Sequence, residues 1–135
     1  MNLAAVRLVF ACLLACGCQS REAREDRAVQ DAIDVLRDSP PDDLITRRAR
    51  IDALQKLPAT TPLARDARDA CSEAYLLVVE GKQATSKLKA EMERLGAPPK
   101  NALADLALAE EKIKKSEPAM RACQKAAIEL GVRRR

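Results

Sequence analysis

Two kinds of residue could carry chemistry in this 135-residue chain: its five cysteines and its paired carboxylates. Cys12, Cys16 and Cys18 crowd the N-terminus, whereas Cys71 and Cys123 stand 52 positions apart. The chain has no histidine, so it has no imidazole base and no histidine metal ligand, and two such distant cysteines do not make a zinc site. No Gly-rich phosphate loop is present. The carboxylate pairs Asp42-Asp43 and Glu110-Glu111 fall at a helix start and on a polar face. Tyr75 alone could donate a phenol, but it reads as a packing residue with its hydroxyl at the rim. The chemistry expected is therefore the covalent chemistry of thiols, with no catalytic site, no cofactor and no metal.

The N-terminal cysteines follow a single positive charge, Arg7, and a short apolar stretch from Leu8 to Ala15 with no acid in it. That is the layout of a secretory signal, and it is shorter than the about 20 apolar residues a spanning helix needs. Leu13-Leu14-Ala15-Cys16 resembles the lipobox of bacterial lipoprotein precursors, with leucine three before the cysteine and a small residue just before it. The resemblance covers residues 1–20 only. It implies diacylglyceryl attachment at Cys16, cleavage before it, and acylation (a palmitate-type chain) of the new amine. Cys18, preceded by Ala15-Cys16-Gly17, is the alternative position and would leave two cysteines in the mature chain. The residue after the lipidated cysteine is Gly17 or Gln19, not aspartate; by the same resemblance this favours the outer membrane, facing the periplasm. The expected partner at this end is membrane lipid.

Charge argues against nucleic acid as a partner. Lys and Arg number 24 against 20 acids, but the surplus of four is Arg7 together with Arg133, Arg134 and Arg135. The body is electroneutral, and one Tyr and one Phe make no base-stacking platform.

Four helices must position these residues. Alanine is abundant and glycine scarce, which favours helix. Arg21 to Asp38 carries Val29, Ala32, Ile33 and Leu36 at helical spacing and stops at Ser39-Pro40-Pro41. Asp42 and Asp43 open a second helix with a stripe of Leu44, Ile45, Ile51, Leu54 and Leu57, closed by Pro58. Thr61-Pro62 starts a third, which ends at Leu95-Gly96 before Pro98-Pro99. Asn101 can cap a fourth, running to about Leu130-Gly131 and either kinked at Pro118 or restarted there with Ser116 as a cap.

Steps of four and three pick out a seam in each long helix: Ala67, Cys71, Ala74, Val78, Gly81, Thr85, Leu88, Met92 and Leu95 in one; Ala102, Leu106, Ala109, Ile113, Ser116, Met120, Cys123, Ala127 and Leu130 in the other. Folding the chain back near residue 97 sets Cys71 against Cys123, Gly81 against Ile113 and Leu88 against Leu106. Alanines flanking the cysteines let the helices approach to the separation a disulfide requires, and a Cys71–Cys123 bond is inferred for an exported chain. The expected fold class is all-α: an antiparallel helical hairpin of two long helices with two shorter N-terminal helices packed on its base, up-down-up-down. The organisation is a signal peptide at 1–15, a lipid-anchor tether at 16–20, one bundle at 21–132 and a basic tail at 133–135. The tail either frays or touches anionic lipid.

The short helices cover only half of the long ones, so residues around 82–112 form a protruding two-helix tip. Seven of the nine lysines lie between 82 and 115. Lys87, Lys89, Lys100 and Lys112 are the candidate contact residues for an envelope protein partner. The same lysines also suit a solvated face, since Lys87–Glu91, Lys89–Glu93, Glu110–Lys114 and Glu111–Lys115 are all four apart. The function expected is a lipid-anchored, periplasm-facing helical scaffold or interaction protein of the bacterial envelope. The alternative is a periplasmic chaperone-like or envelope-stress protein. A small-ligand site is not expected, because so alanine-rich a bundle should close without a pocket.

Overall fold

Helix boundaries follow the local chemistry of their ends. A computed structural model describes residues 20–133 as α1 (Arg21–Arg37), α2 (Leu44–Gln55), α3 (Pro62–Leu95) and α4 (Ala102–Arg133), with no strand among the described residues. The signal and lipidation positions, Cys16 and Cys18 included, lie outside the described residues, as do Arg134 and Arg135. Ser20 Oγ accepts from the Ala23 N–H at 3.2 Å and starts α1. The Asp43 carboxylate accepts from the Thr46 N–H at 3.0 Å and starts α2; hydrogen bonding from Thr46 holds that carboxyl below its usual range. Thr61 Oγ accepts from the Ala64 N–H at 3.2 Å, with Pro62 in the first turn where its missing N–H costs nothing. Gly96 ends α3 in the left-handed region at φ 68°, and its N–H donates to the Met92 carbonyl at 2.9 Å. Asn101 offers its carbonyl to the Asp105 N–H at 3.0 Å as α4 begins.

Helix α4 departs from expectation at two points. It is one helix through Pro118, without a restart. Ser116 is not a cap: its buried hydroxyl donates back to the Ile113 carbonyl at 2.6 Å, beside the Lys114 carbonyl that the proline leaves without an amide donor. The helix also runs on through Gly131 to Arg133. Arg133 therefore belongs to the helix and not to a tail, and its guanidinium sits 3.9 Å from Asp26 of α1.

The long helices contact one another, α1 contacts all three others, and α2 contacts α1 and α3. Along α3 and α4, Cys71 joins Cys123, Glu80 meets Lys112, and Gly81 lies against Ile113 and the Ala109 carbonyl. Partner numbers thus fall on one helix as they rise on the other. The core beside the disulfide is built from Val29, Ile33 and Leu36 of α1, Ile51 and Leu54 of α2, and the small residues Ala64, Ala67 and Ala74 of α3. Burial in α3 spreads off the seam to Ser72, Tyr75 and Val79, which share one helical face. Arg47 of α2 reaches over that face, its guanidinium 5.5 Å from the Tyr75 ring centroid, while donating to the Ser39 carbonyl at 3.1 Å. Burial pushes the Tyr75 phenol up from its ordinary value.

A buried polar cluster ties α1 to the start of α3. Glu25, 6% exposed, accepts from the Thr60 hydroxyl at 2.6 Å, the Thr60 N–H at 3.0 Å and Arg21 Nε at 2.8 Å. Asp26 accepts from the Thr61 hydroxyl at 2.6 Å, and Thr61 in turn caps α3. These bonds, led by the Thr60 hydroxyl and Arg21, lower the Glu25 carboxyl to about 2. A carboxyl depressed on folding stabilises the protein above its unfolded value of 4.5 and loses that contribution as pH falls toward 2. The urea midpoint is expected to fall between pH 5 and pH 2.5, and to fall less in Glu25→Gln; equal pH dependence in the two proteins would contradict the assignment.

Candidate functional site

The base of the molecule is packed on a buried core and cross-linked. Cys71 and Cys123 are bonded at 2.08 Å with Cα atoms 4.4 Å apart, and both residues are buried. So close an approach of two helices requires small neighbours, which Ala67, Ala74, Ala126 and Ala127 provide. The connection between α1 and α2 is clamped beside it: Arg50 donates to the Val35 carbonyl at 2.9 Å and also to Ser39 Oγ.

Lys82 marks where the base ends. Its ammonium donates to the Pro41 carbonyl at 3.1 Å and lies 3.3 Å from Asp42, so this lysine belongs to the α1–α2 turn and not to the tip. Beyond it the long helices have only each other. Between residues 83 and 111 only Leu88 and Ala109 are buried. Leu103 is 84% exposed and Leu108 57%, and Met92, Leu95 and Leu106 of the seam are also exposed.

The four candidate tip lysines are not equivalent. Lys87 and Lys89 lie 3.9 and 4.0 Å from Glu91 and Glu93, loose pairs of exposed side chains worth a few tenths of a kcal/mol, about 0.3–0.5. Lys100 is exposed in the turn between the long helices. Lys112 is committed elsewhere: it donates to Glu80 across the seam, and Glu80 also has Arg48 of α2 at 3.7 Å. Lys115 pairs with Glu111 at 2.6 Å and lowers that carboxyl, while Glu110 and Lys114 make no contact within 4.0 Å. A cleft of about 230 Å³ runs along one side of the tip between Leu88 and Leu108, edged by Lys87, Glu91, Asp105 and Lys112.

Comparison of the chain with protein-family models, with curated proteins and with solved structures finds no match. What the molecule can do is therefore argued from its surfaces.

The second of those surfaces was not legible in the seam pattern. Contrary to the expectation of a bundle too tight for a pocket, a groove of about 560 Å³ opens between α1 and α4. Tyr75 and Cys123 line it, Ile33 and Ala127 lie along it, and Ile128 and Val132 form an exposed apolar edge. The sequence signal for it is the Ile128/Val132 pair, four apart and off the seam, which gives α4 a second apolar stripe. Arg37 stands at the α1 side with its guanidinium held above its ordinary value by Asp38 and Asp34, at 3.2 and 3.0 Å. Among the described residues no group of three His, Cys, Asp or Glu side chains could hold a metal ion, and no helix is long and apolar enough to cross a membrane.

Proposed function

We propose that the protein is a lipid-anchored, non-catalytic helical scaffold of the bacterial cell envelope, tethered by an acylated Cys16, with Cys18 as the alternative, and facing the periplasm, most simply from the outer membrane. Its architecture on this reading is an antiparallel hairpin whose base is packed by two shorter helices, up-down-up-down, and whose tip presents helical surface to an envelope protein. The observation that carries the reading is the contrast along the long helices. A base that is buried, cross-linked and clamped at Lys82 gives way to a two-helix extension with exposed Leu103 and Leu108. Monomeric proteins seldom expose contiguous apolar surface without using it for contact. A disulfide in the base fits an oxidising compartment, and hence export. Lys87, Lys89 and Lys100 are the exposed lysines the tip offers a partner, Lys87 and Lys89 each beside a glutamate, so the contact on this reading rests on the apolar side chains more than on charge.

The same exposed leucines and methionine also favour a chaperone-like role, in which the tip holds unfolded clients. One experiment separates the two. Photo-crosslinkers placed at Lys89 and Lys100 in intact cells are expected to yield one recurrent adduct of defined mass. A ladder of many adducts that grows under envelope stress would favour client binding. No adduct above that obtained from positions in the base would remove the tip as a binding surface.

A further inference from the structure

Beyond Lys82 the cleft of about 230 Å³ gives one side of the long helices a shape of its own. Ala84, Lys87 and Leu88 of α3 and Asp105, Leu108 and Ala109 of α4 line it. Leu88 and Ala109 are buried, whereas Leu108 is 57% exposed at the edge. Small and buried residues thus make a hole, and an exposed leucine makes a knob beside it. The charged edges are unequal as well. Lys112 is bound to Glu80, and Lys87 meets Glu91 only loosely at 3.9 Å. Asp105 has no basic partner among the described residues. Heights along the helices follow from the seam: Cys71 lies against Cys123 and Gly81 against Ile113, so each step up α3 is matched by a step back along α4. On that scale Lys87 stands between Asp105 and Leu108, and Leu88 lies within one turn of Leu108.

We propose that this side of the long helices docks a second copy of the chain, with Leu108 of each copy seated in the cleft of the other and Lys87 of each paired with Asp105 of the other. A two-fold axis parallel to the long helices does this, because it keeps every height and lays α3 of one copy on α4 of the next. The basic group on the α3 edge then meets the acidic group on the α4 edge, twice by symmetry, which fixes register more than it adds affinity. From Lys82 to Leu95, α3 runs about 20 Å at about 1.5 Å per residue, and two helices of about 10 Å diameter offer a face of about 400 Å² per copy. That is about half of a standard interface of about 800 Å² per partner, so the contact is transient in solution and gains from any tether that raises local concentration. On this side, the partner of the tip is the protein itself. The docking surface stands on the cleft, and only the gain from a shared leaflet rests on the anchored reading above.

The test uses the full chain purified from cells and reconstituted with phosphatidylcholine vesicles, one batch carrying a donor dye and the other an acceptor dye at the C-terminus. Energy transfer that falls as the vesicles are diluted with lipid gives the association constant. Leu108→Lys, at an exposed position where folding tolerates it, is expected to weaken association about tenfold, the factor that 1.4 kcal/mol of lost binding carries. Lys87→Asp and Asp105→Lys should each weaken it by about the same factor, since each sets like charges face to face, and the two together should restore it. Thermal midpoints of the variants read folding separately. In cells, a photo-crosslinker at Glu91 on the edge of the cleft is expected to give an adduct of twice the chain mass. Transfer no greater than that of an unrelated protein at the same density, an unchanged constant in Leu108→Lys, or a double swap no better than either single one would overturn the proposal. So would a Glu91 adduct with another protein or with lipid in place of a second copy. The N-terminal mass of the same sample reads the anchor separately: an unacylated chain that still associates, with the double swap restoring it, keeps the docking surface and discards the leaflet.

Discussion

Replacing Cys71 and Cys123 together by alanine is expected to lower the thermal midpoint by about 15 °C while leaving the helical signal in place below the transition. The bond closes a loop of sequence separation 52, and the chain-entropy relation gives about 4 kcal/mol for a loop of that length. For a domain of this size each kcal/mol moves the midpoint by about 4 °C. The substitution is gentle in packing, because both positions are buried among alanines that already set a close helix separation. The loss should therefore appear as a cheaper unfolded state, not as a collapsed core. A reductant should reproduce the shift in the unaltered protein and leave the double variant where it is. An unchanged midpoint would mean that the cysteines act only as small apolar residues of the seam.

The second large effect is expected at Gly81. A Cβ there would lie 2.7 Å from Ile113 Cδ1, 2.9 Å from Ile113 Cγ1 and 3.2 Å from the Ala109 carbonyl oxygen. The isoleucine side chain can swing aside, but the carbonyl belongs to the backbone of α4 and cannot. Gly81→Val should cost about 2–3 kcal/mol through overpacking, despite the better helix propensity of valine over glycine. Gly81→Ala should cost less, since its gain in propensity of about 1 kcal/mol offsets part of the crowding. Pairing Gly81→Val with Ile113→Ala should recover part of the loss, and a coupling energy near zero in that cycle would mean that the two helices do not meet as described. Chemical denaturation of the four proteins reads it out.

Both effects follow from the seam, and the seam was legible because its signals are local. Prolines 40 and 41 mark the end of α1, Pro58 the end of α2, and Pro62 and Gly96 the two ends of α3, each through a missing donor or a left-handed backbone. The four-and-three spacing placed Gly81 opposite Ile113 without coordinates. What escaped the sequence depends on residues far apart in the chain. Nothing in the local sequence singles out Glu25 and Asp26, yet both are buried on Thr60 and Thr61, 35 positions away. Lys82 and Lys112 looked like tip lysines, and each is bound to an acid that only the folded chain brings near. Ser72, Tyr75 and Val79 lie off the seam, so a two-helix pattern cannot foresee the short helices that bury them. Of the two expectations at Pro118, a kink or a restart, the restart does not occur: α4 continues through it, with Ser116 turned back on Ile113 beside the freed carbonyl.

The groove between α1 and α4 and the far part of the long helices are separate surfaces of the molecule. The groove runs along α4 to Val132, near where Asp26 of α1 meets Arg133, and the turn at Lys100 stands at the opposite end of the long helices. On the proposed reading that polarity gives an anchored scaffold a membrane end and a reach, and the reading requires acylation of the N-terminus. Intact mass of the protein extracted from membranes tests this most directly. The expected species begins at Cys16, or at Cys18, and carries the added mass of a diacylglyceryl group and an amide-linked acyl chain. A water-soluble chain with an unmodified cysteine at its start, or one that retains residues 1–15, would contradict the account.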